Sequence, residues 1–354
     1  MKFCAKVVKN DRNAKSILFF RPTYTNFAEK IRKTAKTMTT LDTRWKQFFA
    51  EMRSTYKSMD TEEIWDIWVV RPIGFVEACL CRRLRIHPNV VTIISILFGV
   101  ASGYFFMPGN KTMVFLGTLL LFFANTLDSA DGQLARMTKQ YTLFGRALDG
   151  LAGEFWFTSI YIGIIARMYT LTIPFTETHW AWIGILFTVF SALVCHSRQA
   201  ALADYYRVLH LHFLNRHGYS ELTSSTALRA EAADITAPRL ERWWKKLFCG
   251  YTRNQERMTP RLQQLLQAIE QRDGETLPEA FYEEYRAYSL PLMPCANILS
   301  FNTRFFALVI SMFLGMPWLY LLFECTVLSA LAFYMHHQHE KFCAKLYNKY
   351  FKQV

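Results

Sequence analysis

Six stretches of this chain are apolar over roughly the 20 residues that a bilayer core demands of a helix. They are Asn89–Met107, Thr112–Leu127, Leu143–Ala166, Trp180–Ser197, Thr303–Met316 and Trp318–His336. In hydrocarbon a backbone N–H or C=O finds no water, so a spanning segment satisfies its own groups by coiling into a helix. The sequence therefore predicts an all-α integral membrane protein with six transmembrane helices. The fifth stretch is short and is read as tilted, or as extended at its N-terminal end. A 52% hydrophobic share beside a net charge of +13 belongs to the same class.

The distribution of that charge orients the chain. The connections after spans one, three and five carry few cations, Lys111 and Arg167 among them, whereas the N-terminal arm, the second and fourth connections and the tail are basic. Cations gather on the cytoplasmic side, which predicts cytoplasmic termini. Anionic headgroups account for the basicity, no nucleic-acid motif accompanies it, and no nucleic-acid partner is expected. The eight cysteines show no CxxC pair, which reads as free thiols. The N-terminus lacks an apolar run long enough for a cleaved signal peptide.

Outside the spans the chain divides by pattern. Residues 1–70 form a cytoplasmic arm in which runs such as "EKIRKTAKTM" and "RWKQFFAEMR" alternate charge and apolarity at helical spacing. Ile73, Val76, Leu80 and Leu84 recur among Arg82, Arg83 and Arg85, as in an interfacial helix leading into span one at Pro88. With spans one to four this makes a catalytic membrane core over 71–204. Residues 205–300 read as a helical cytoplasmic insertion. It contains one marked helix, with Thr259 as N-cap, Pro260 first, Leu262, Leu265, Leu266 and Ile269 on a stripe, and Gly274 as the stop. Spans five and six occupy 301–340, and 341–354 is a basic tail.

The chemistry is carried by "DSADGQLARMTKQYTLFGRALDGLAGEF", Asp128 to Phe155. On a helix Asp128 and Asp131 share a face with Asn125 and Ala135. Two acids so placed repel and call for a counter-charge, and hard oxygen ligands suit Mg²⁺, Mn²⁺ or Ca²⁺. Asp149, from the next span, would complete a site for one or two ions. Gly132 and Ala135 leave the helix surface bare, and Arg136 offers a planar donor for phosphate. Snorkelling charges that merely end two spans are the plainer reading, and three acids with adjacent small residues and an arginine exceed it.

The pattern Asp128-x2-Asp131-Gly132-x2-Ala135-Arg136-x8-Gly145-x3-Asp149 resembles the signature of the CDP-alcohol phosphotransferases. The approach to span one, with Arg71-Pro72, Pro88-Asn89 and Thr92, is similar too. The resemblance covers about residues 70–205. It implies six transmembrane helices, a homodimer, and a polar cavity open to the cytoplasm. It also implies a reaction: an acceptor hydroxyl attacks a CDP-linked alcohol at its phosphorus, giving a phosphodiester and CMP. Carried onto this chain, Asp128, Asp131 and Asp149 would ligate Mg²⁺ or Mn²⁺, two ions in all. Asp128, Gly132, Ala135, Arg136 and Gly145 would line the site of the CDP-alcohol. The partners are then a CDP-linked donor, a lipid or small-alcohol acceptor, and membrane lipids. Either the donor is CDP-diacylglycerol and the acceptor a small polar alcohol, or a CDP-linked head group meets a lipid alcohol.

One position departs from the pattern. The family places a further aspartate four residues after Asp149, as metal ligand and general base, and here that residue is Gly153. Glu154 follows it, about 100° round the helix, and with Asp149 is the catalytic pair read from this sequence. His196 in span four is a second candidate base. The third reading is a nucleotide- or lipid-binding relative impaired in turnover, since a general base contributes about 10²- to 10⁴-fold. Acids gathered at one membrane face speak against a transporter. Glu324 and Arg304 read as a bundle pair, and His336, His337, His339 and Glu340 as a solvated group before a metal site.

Overall fold

The computed structural model describes residues 45–56, 58–214, 222–234, 238–272 and 277–352. The chain divides into two units, Met1–Ser54 and Thr55–Val354. In the first, residues 45–54 are helical, as "RWKQFFAEMR" suggests. Trp45, Phe48 and Phe49 cluster there with ring centroids 5.7–6.2 Å apart. The run "EKIRKTAKTM" and the helix stop at Gly274 lie outside the described residues.

Among the described residues the second unit is built of helices, with one isolated bridge between Thr172 and His179. A π turn, Asp66–Val70, runs directly into α1, Arg71–Arg83. There follow α2 (Pro88–Phe106), α3 (Lys111–Thr138), α4 (Leu143–Tyr169) and α5 (Ala181–Leu214). The next helices are α6 (Ser225–Ala233), α7 (Arg239–Met258), α8 (Pro260–Glu270), α9 (Glu279–Ser289) and α10 (Met293–Ile298). The last two are α11 (Phe301–Phe313) and α12 (Pro317–Tyr350).

Among the described residues, five helical stretches are long and apolar enough to cross a membrane: α2, α3, α5, the run Glu279–Phe313 that contains α9 to α11, and α12. This is the make-up of an integral membrane protein. The expected spans one, two, four, five and six each coincide with part of one of the five, with Met107 of span one, Trp180 of span four and Leu314 to Met316 of span five left outside. The third is present as α4, which carries Asp149, Glu154 and Arg167 along its 27 residues and stands outside that set. The stretches also overrun the expected limits. The helix of span four continues from Ser197 to Leu214, because "AALADYYRVLHLHFL" keeps apolar residues on a face that finds a second core.

Two cores result. One joins α2, α3, α4, α11 and the first turns of α12 around Phe106, Trp156, Ile160, Leu308 and Leu321. The other joins the far halves of α5 and α12 with α8 and α9 around Leu209, Leu265, Phe281, Tyr285 and Met335. The expected helix at Pro260 belongs to this second core through Leu262 and Leu265. Thr259 precedes it, but its hydroxyl donates to the Gln255 carbonyl at 2.9 Å. The cap comes from Glu340 of α12, whose carboxylate accepts from the Arg261 and Leu262 N–H groups at 2.8 and 3.2 Å. A carboxylate at a helix N-terminus also meets the positive end of the helix dipole. The histidines beside it are likewise employed in packing. His336 bonds the Tyr206 hydroxyl at 2.8 Å, and His339 bonds the Tyr285 hydroxyl at 3.1 Å.

The layer that positions the signature is α1 to α4. α2 lies along both α3 and α4, which touch each other little. Its contact with α4 is backbone-close: a Cβ on Gly99 would sit 2.0 Å from Trp156 Cδ1, and one on Gly163 would sit 2.4 Å from the Gly103 carbonyl. Gly99 and Gly103 are one helical turn apart, the small-residue spacing that lets membrane helices approach without a hydrophobic drive between them. α1 crosses α3 at Gly74, where a Cβ would be 3.0 Å from the Thr126 carbonyl.

On α1, Glu77 is half-buried beside an apolar groove lined by Phe98, Leu116 and Phe123. Thr126 donates to its Oε1 at 3.1 Å, while Oε2 is buried without a hydrogen-bond partner. Burial pushes its carboxyl up to about 7. The folded state therefore favours the protonated form, and the stabilisation this gives is complete below the unfolded carboxyl pKa and lost as pH rises through 7. Glu77→Gln keeps the Thr126 bond and removes the charge. In detergent, the variant is expected to match the wild-type melting temperature at pH 5 and exceed it by several degrees at pH 8. Parallel melting curves across that range would show that Glu77 carries no burial penalty.

Candidate metal centre

The signature is brought together by a turn. α3 ends at Thr138 with Lys139 in the left-handed region at φ 56°, which lets the chain reverse within four residues. Thr142 then caps α4, its Oγ1 accepting from the Gly145 N–H at 2.9 Å and donating to Asn89 Oδ1 at 3.3 Å at the start of α2. Gly145 is needed there, since a Cβ would stand 2.5 Å from Asn89 Oδ1. The last turns of α3 and the first turns of α4 thus lie side by side.

Across that seam Asp128, Asp131 and Asp149 each place a carboxylate oxygen within 4.8 Å of the others. The burial is graded: Asp131 is 3% exposed, Asp128 half-buried and Asp149 exposed. Asp131 Oδ2 is sealed from solvent without a hydrogen-bond partner. A buried, unpartnered anionic oxygen beside two further carboxylates is costly unless a cation neutralises the group. Three hard oxygen donors of this kind fit Mg²⁺ or Mn²⁺, whose remaining positions are taken by water or substrate phosphate. Glu154 is not a member of this group.

Beside the carboxylates Arg136 lies over Gly132, its guanidinium nitrogens 3.4 Å from where a Cβ would be. Its Nε is buried and has no hydrogen-bond partner. A donor fork held over a bare helix surface, next to a cation site, is suited to a phosphate oxygen. Ala135, half-buried on the same helix, keeps that surface low.

The segment before α1 contributes residues that sequence patterning did not single out. Arg71 makes a two-pronged ion pair with Glu62 at 2.9 and 2.8 Å, and its Nη1 reaches Ser129 Oγ of α3 at 3.4 Å. Gln133 donates to the Arg71 carbonyl at 3.1 Å and accepts from Thr55 Oγ1 at 3.1 Å. Residues 55–71 are thereby fastened to the outer face of the signature helix, with Glu62 and Arg71, like Asp149, in electrostatic reach of Arg136. Asp66, in the same segment, accepts from Asn302 at 2.8 Å, and its burial raises the carboxyl to about 6. No local periodicity marks these partners, which are nine residues apart for Glu62 and Arg71 and more than fifty for the others; the one available signal was the Arg71-Pro72 pair.

The other candidates fall elsewhere. Gly153 is half-buried, and a Cβ placed on it meets nothing within 4 Å. Glu154 acts electrostatically on Tyr251 of α7, whose hydroxyl donates to Asp204 of α5 at 3.3 Å. Burial and those two carboxylates push the Tyr251 hydroxyl well above its ordinary pKa. His196 is 4% exposed, its Nδ1 3.1 Å from Glu324 Oε1.

Residues 85–219 match the family model of CDP-alcohol phosphatidyltransferase, which bears out the resemblance carried by the signature. The matched stretch contains α2 to α5 and every signature residue; α11 and α12 lie beyond it. That family transfers a phosphoalcohol group from a CDP-alcohol. No curated protein and no solved structure matches the chain.

The geometry sets a metal-binding expectation for Asp131→Asn. Without cations the variant should melt higher than the wild type, because it removes one of three crowded charges. Mn²⁺ at about a hundred times its Kd should stabilise the wild type by about 2.7 kcal/mol and leave the variant nearly unmoved. Equal Mn²⁺ shifts in both proteins would dissociate Asp131 from the ion site.

Proposed function

We propose that this chain, with its CDP-alcohol phosphatidyltransferase segment, is a membrane phosphotransferase of phospholipid or sphingolipid synthesis. It moves a phosphoalcohol group from a CDP-linked donor to an acceptor hydroxyl and releases CMP. The observation that carries the reading is the convergence of Asp128, Asp131 and Asp149 next to Arg136 over Gly132. The three aspartates would hold Mg²⁺ or Mn²⁺, which when bound neutralises diphosphate charge and eases departure of CMP.

The chain's own residues divide the remaining work. Arg136 takes a phosphate oxygen, and Gly132 and Ala135 give the nucleotide room against α3. Gly145 keeps α4 close to Asn89, so that Asp149 stays across from Asp128. Glu62 and Arg71 fix the segment that borders this pocket. The acceptor hydroxyl must lose a proton on the α4 side, where Gly153 offers no group and Glu154 is the neighbouring carboxylate. We place the site at the cytoplasmic membrane face, and the working unit as a homodimer, both by analogy with the family.

Gly153 favours a second reading, a relative that binds CDP-alcohol with little turnover. Purified protein in lipid vesicles with Mn²⁺ separates the two. CMP release would be followed from CDP-diacylglycerol, CDP-inositol, CDP-ethanolamine and CDP-choline, each with polar and lipid alcohols as acceptors. Release that requires both a donor and an acceptor is expected, with a loss of about 10²- to 10³-fold in Asp149→Asn. Tight, metal-dependent CDP binding with no CMP from any pair would establish the impaired relative instead.

A further inference from the structure

Below the metal centre the helix bundle encloses a group of polar side chains that the transfer of phosphate does not use. Arg304 of α11 and Glu324 of α12 are 1% and 0% exposed and form an ion pair through Nη1 and Oε1. The pair is fully satisfied. Arg304 Nε donates to the Leu299 carbonyl at 3.1 Å and Nη2 to Gln199 Oε1 at 2.8 Å. Glu324 accepts further from Tyr320 at 3.0 Å and from Tyr161 of α4 at 2.6 Å, and Ser191 of α5 also donates to it. An ion pair that closes on itself needs no third titratable group. A third is nevertheless present: His196 of α5, with Nδ1 3.1 Å from Glu324 Oε1 and 3.0 Å from Arg304 Nη1.

Two departures from regular helix bring these residues together. α5 is widened into a π turn at Ser191–His196 and α12 at Glu324–Leu328. Each inserted residue re-aims the side chains around it, a device that recurs at functional sites. Here the two π turns carry Ser191, His196 and Glu324.

The position of His196 along α4 gives it a role. Asp149, Gly153, Phe157 and Tyr161 follow one another at four-residue steps and so occupy one face of α4. Asp149 belongs to the carboxylate group. The Phe157 ring lies 4.4 Å and the Tyr161 ring 5.6 Å, centroid to centroid, from the His196 ring. Phe157, about one helical pitch past the open space at Gly153, is thus the residue of that face whose ring lies against His196. Its Nε2 has no hydrogen bond to the described residues and is not among the polar atoms sealed from solvent. Nδ1 faces both Glu324 Oε1 and Arg304 Nη1; in the tautomer that carries the proton on Nδ1 and donates it to Glu324, the Nε2 lone pair is left outward, the arrangement by which a carboxylate orients a histidine base.

We propose that His196, oriented by Glu324 and Arg304, accepts the proton of the acceptor hydroxyl in place of the carboxylate missing at Gly153. The proposal rests on the transferase reading above. In the step, the acceptor O–H bond breaks and its proton goes to Nε2, while the oxygen forms a new bond to the donor phosphorus. The phosphorus–oxygen bond to CMP breaks with its electron pair leaving on CMP, and the proton then passes from His196 to water or to the released CMP. His196 would be a catalytic residue; Glu324 and Arg304 would be positioning residues.

His196→Asn is the informative variant, because the asparagine amide can still donate to Glu324 while nothing replaces Nε2. Full-length protein in lipid vesicles with Mn²⁺ would be assayed for CDP binding and for CMP release, using the best donor and acceptor of the wild type. The expected result is unchanged CDP affinity with CMP release lowered about 10²- to 10⁴-fold, restored in part by added imidazole or by Gly153→Asp in the same chain. An aspartate at 153 has room, and would return a carboxylate to the α4 face. Wild-type turnover in His196→Asn overturns the proposal. So does a loss that neither imidazole nor Gly153→Asp relieves, or a loss of CDP binding in both His196→Asn and His196→Gln, which would make His196 a scaffold residue. Absence of CMP release from the wild type itself would instead strike the transferase reading.

Discussion

The close contact of α2 with α4 is the constraint on which the site depends. α3 and α4 touch little along their lengths, so beyond the turn that joins them little between the two helices fixes how Asp149 is turned relative to Asp128 and Asp131. What fixes it is that both helices lie against α2. On the α4 side the approach is so near that Gly99 leaves space for the Trp156 indole, and the Gly103 carbonyl would meet any side chain at position 163. In a bilayer, apolar side chains gain nothing by leaving lipid for one another, and such contacts win through dispersion between backbones that small residues allow to meet. Three like charges can then be held together, because the helices that carry them are positioned from behind.

Much of this was legible in the sequence, for physical reasons that differ by element. A bilayer leaves a chain few options, so the apolar stretches marked their helices directly, and the carboxylate spacing named the partners that the fold brings within 4.8 Å. The Glu324 and Arg304 pair followed from the cost of leaving either charge alone in hydrocarbon. The limits of the long helices did not follow. Hydropathy reports where lipid contact ends, whereas α5 and α12 continue into a second core whose apolar faces are covered by protein. Long-range polar partnerships were invisible for another reason. Arg71 with Ser129, Thr55 with Gln133, and Glu340 with the α8 N-terminus join segments far apart in the chain, and only the completed fold brings them into reach.

Burial changes what the charges can do. At the seam of α3 and α4 the carboxylates outnumber their local cations, and Asp131 keeps a sealed oxygen without a partner, so the group is a demand for a ligand. In the bundle, the Glu324 carboxylate accepts from arginine, two tyrosines and a serine, and demands nothing further. The first arrangement calls for a ligand; the second is complete. A satisfied buried ion pair adds little to stability by itself and is better understood as fixing geometry. The geometry it fixes joins α4, α5, α11 and α12, and includes the ring of His196.

The face of α4 that begins with Asp149 shows how these two environments meet. Four residues on, where the family carries a carboxylate, stands a glycine with open space around it; four further stands Phe157 against His196, and four further Tyr161 against Glu324. A carboxylate at 153 would have extended the cation-binding group toward the bundle. Its absence leaves open space at that position, with the Asp149 carboxylate one turn before it and Phe157, against the His196 ring, one turn after. A hydroxyl entering that space would meet phosphorus held on the Asp149 side and a proton acceptor on the His196 side. The missing aspartate thus need not mean lost chemistry, provided that the proton leaves by the deeper side of the site.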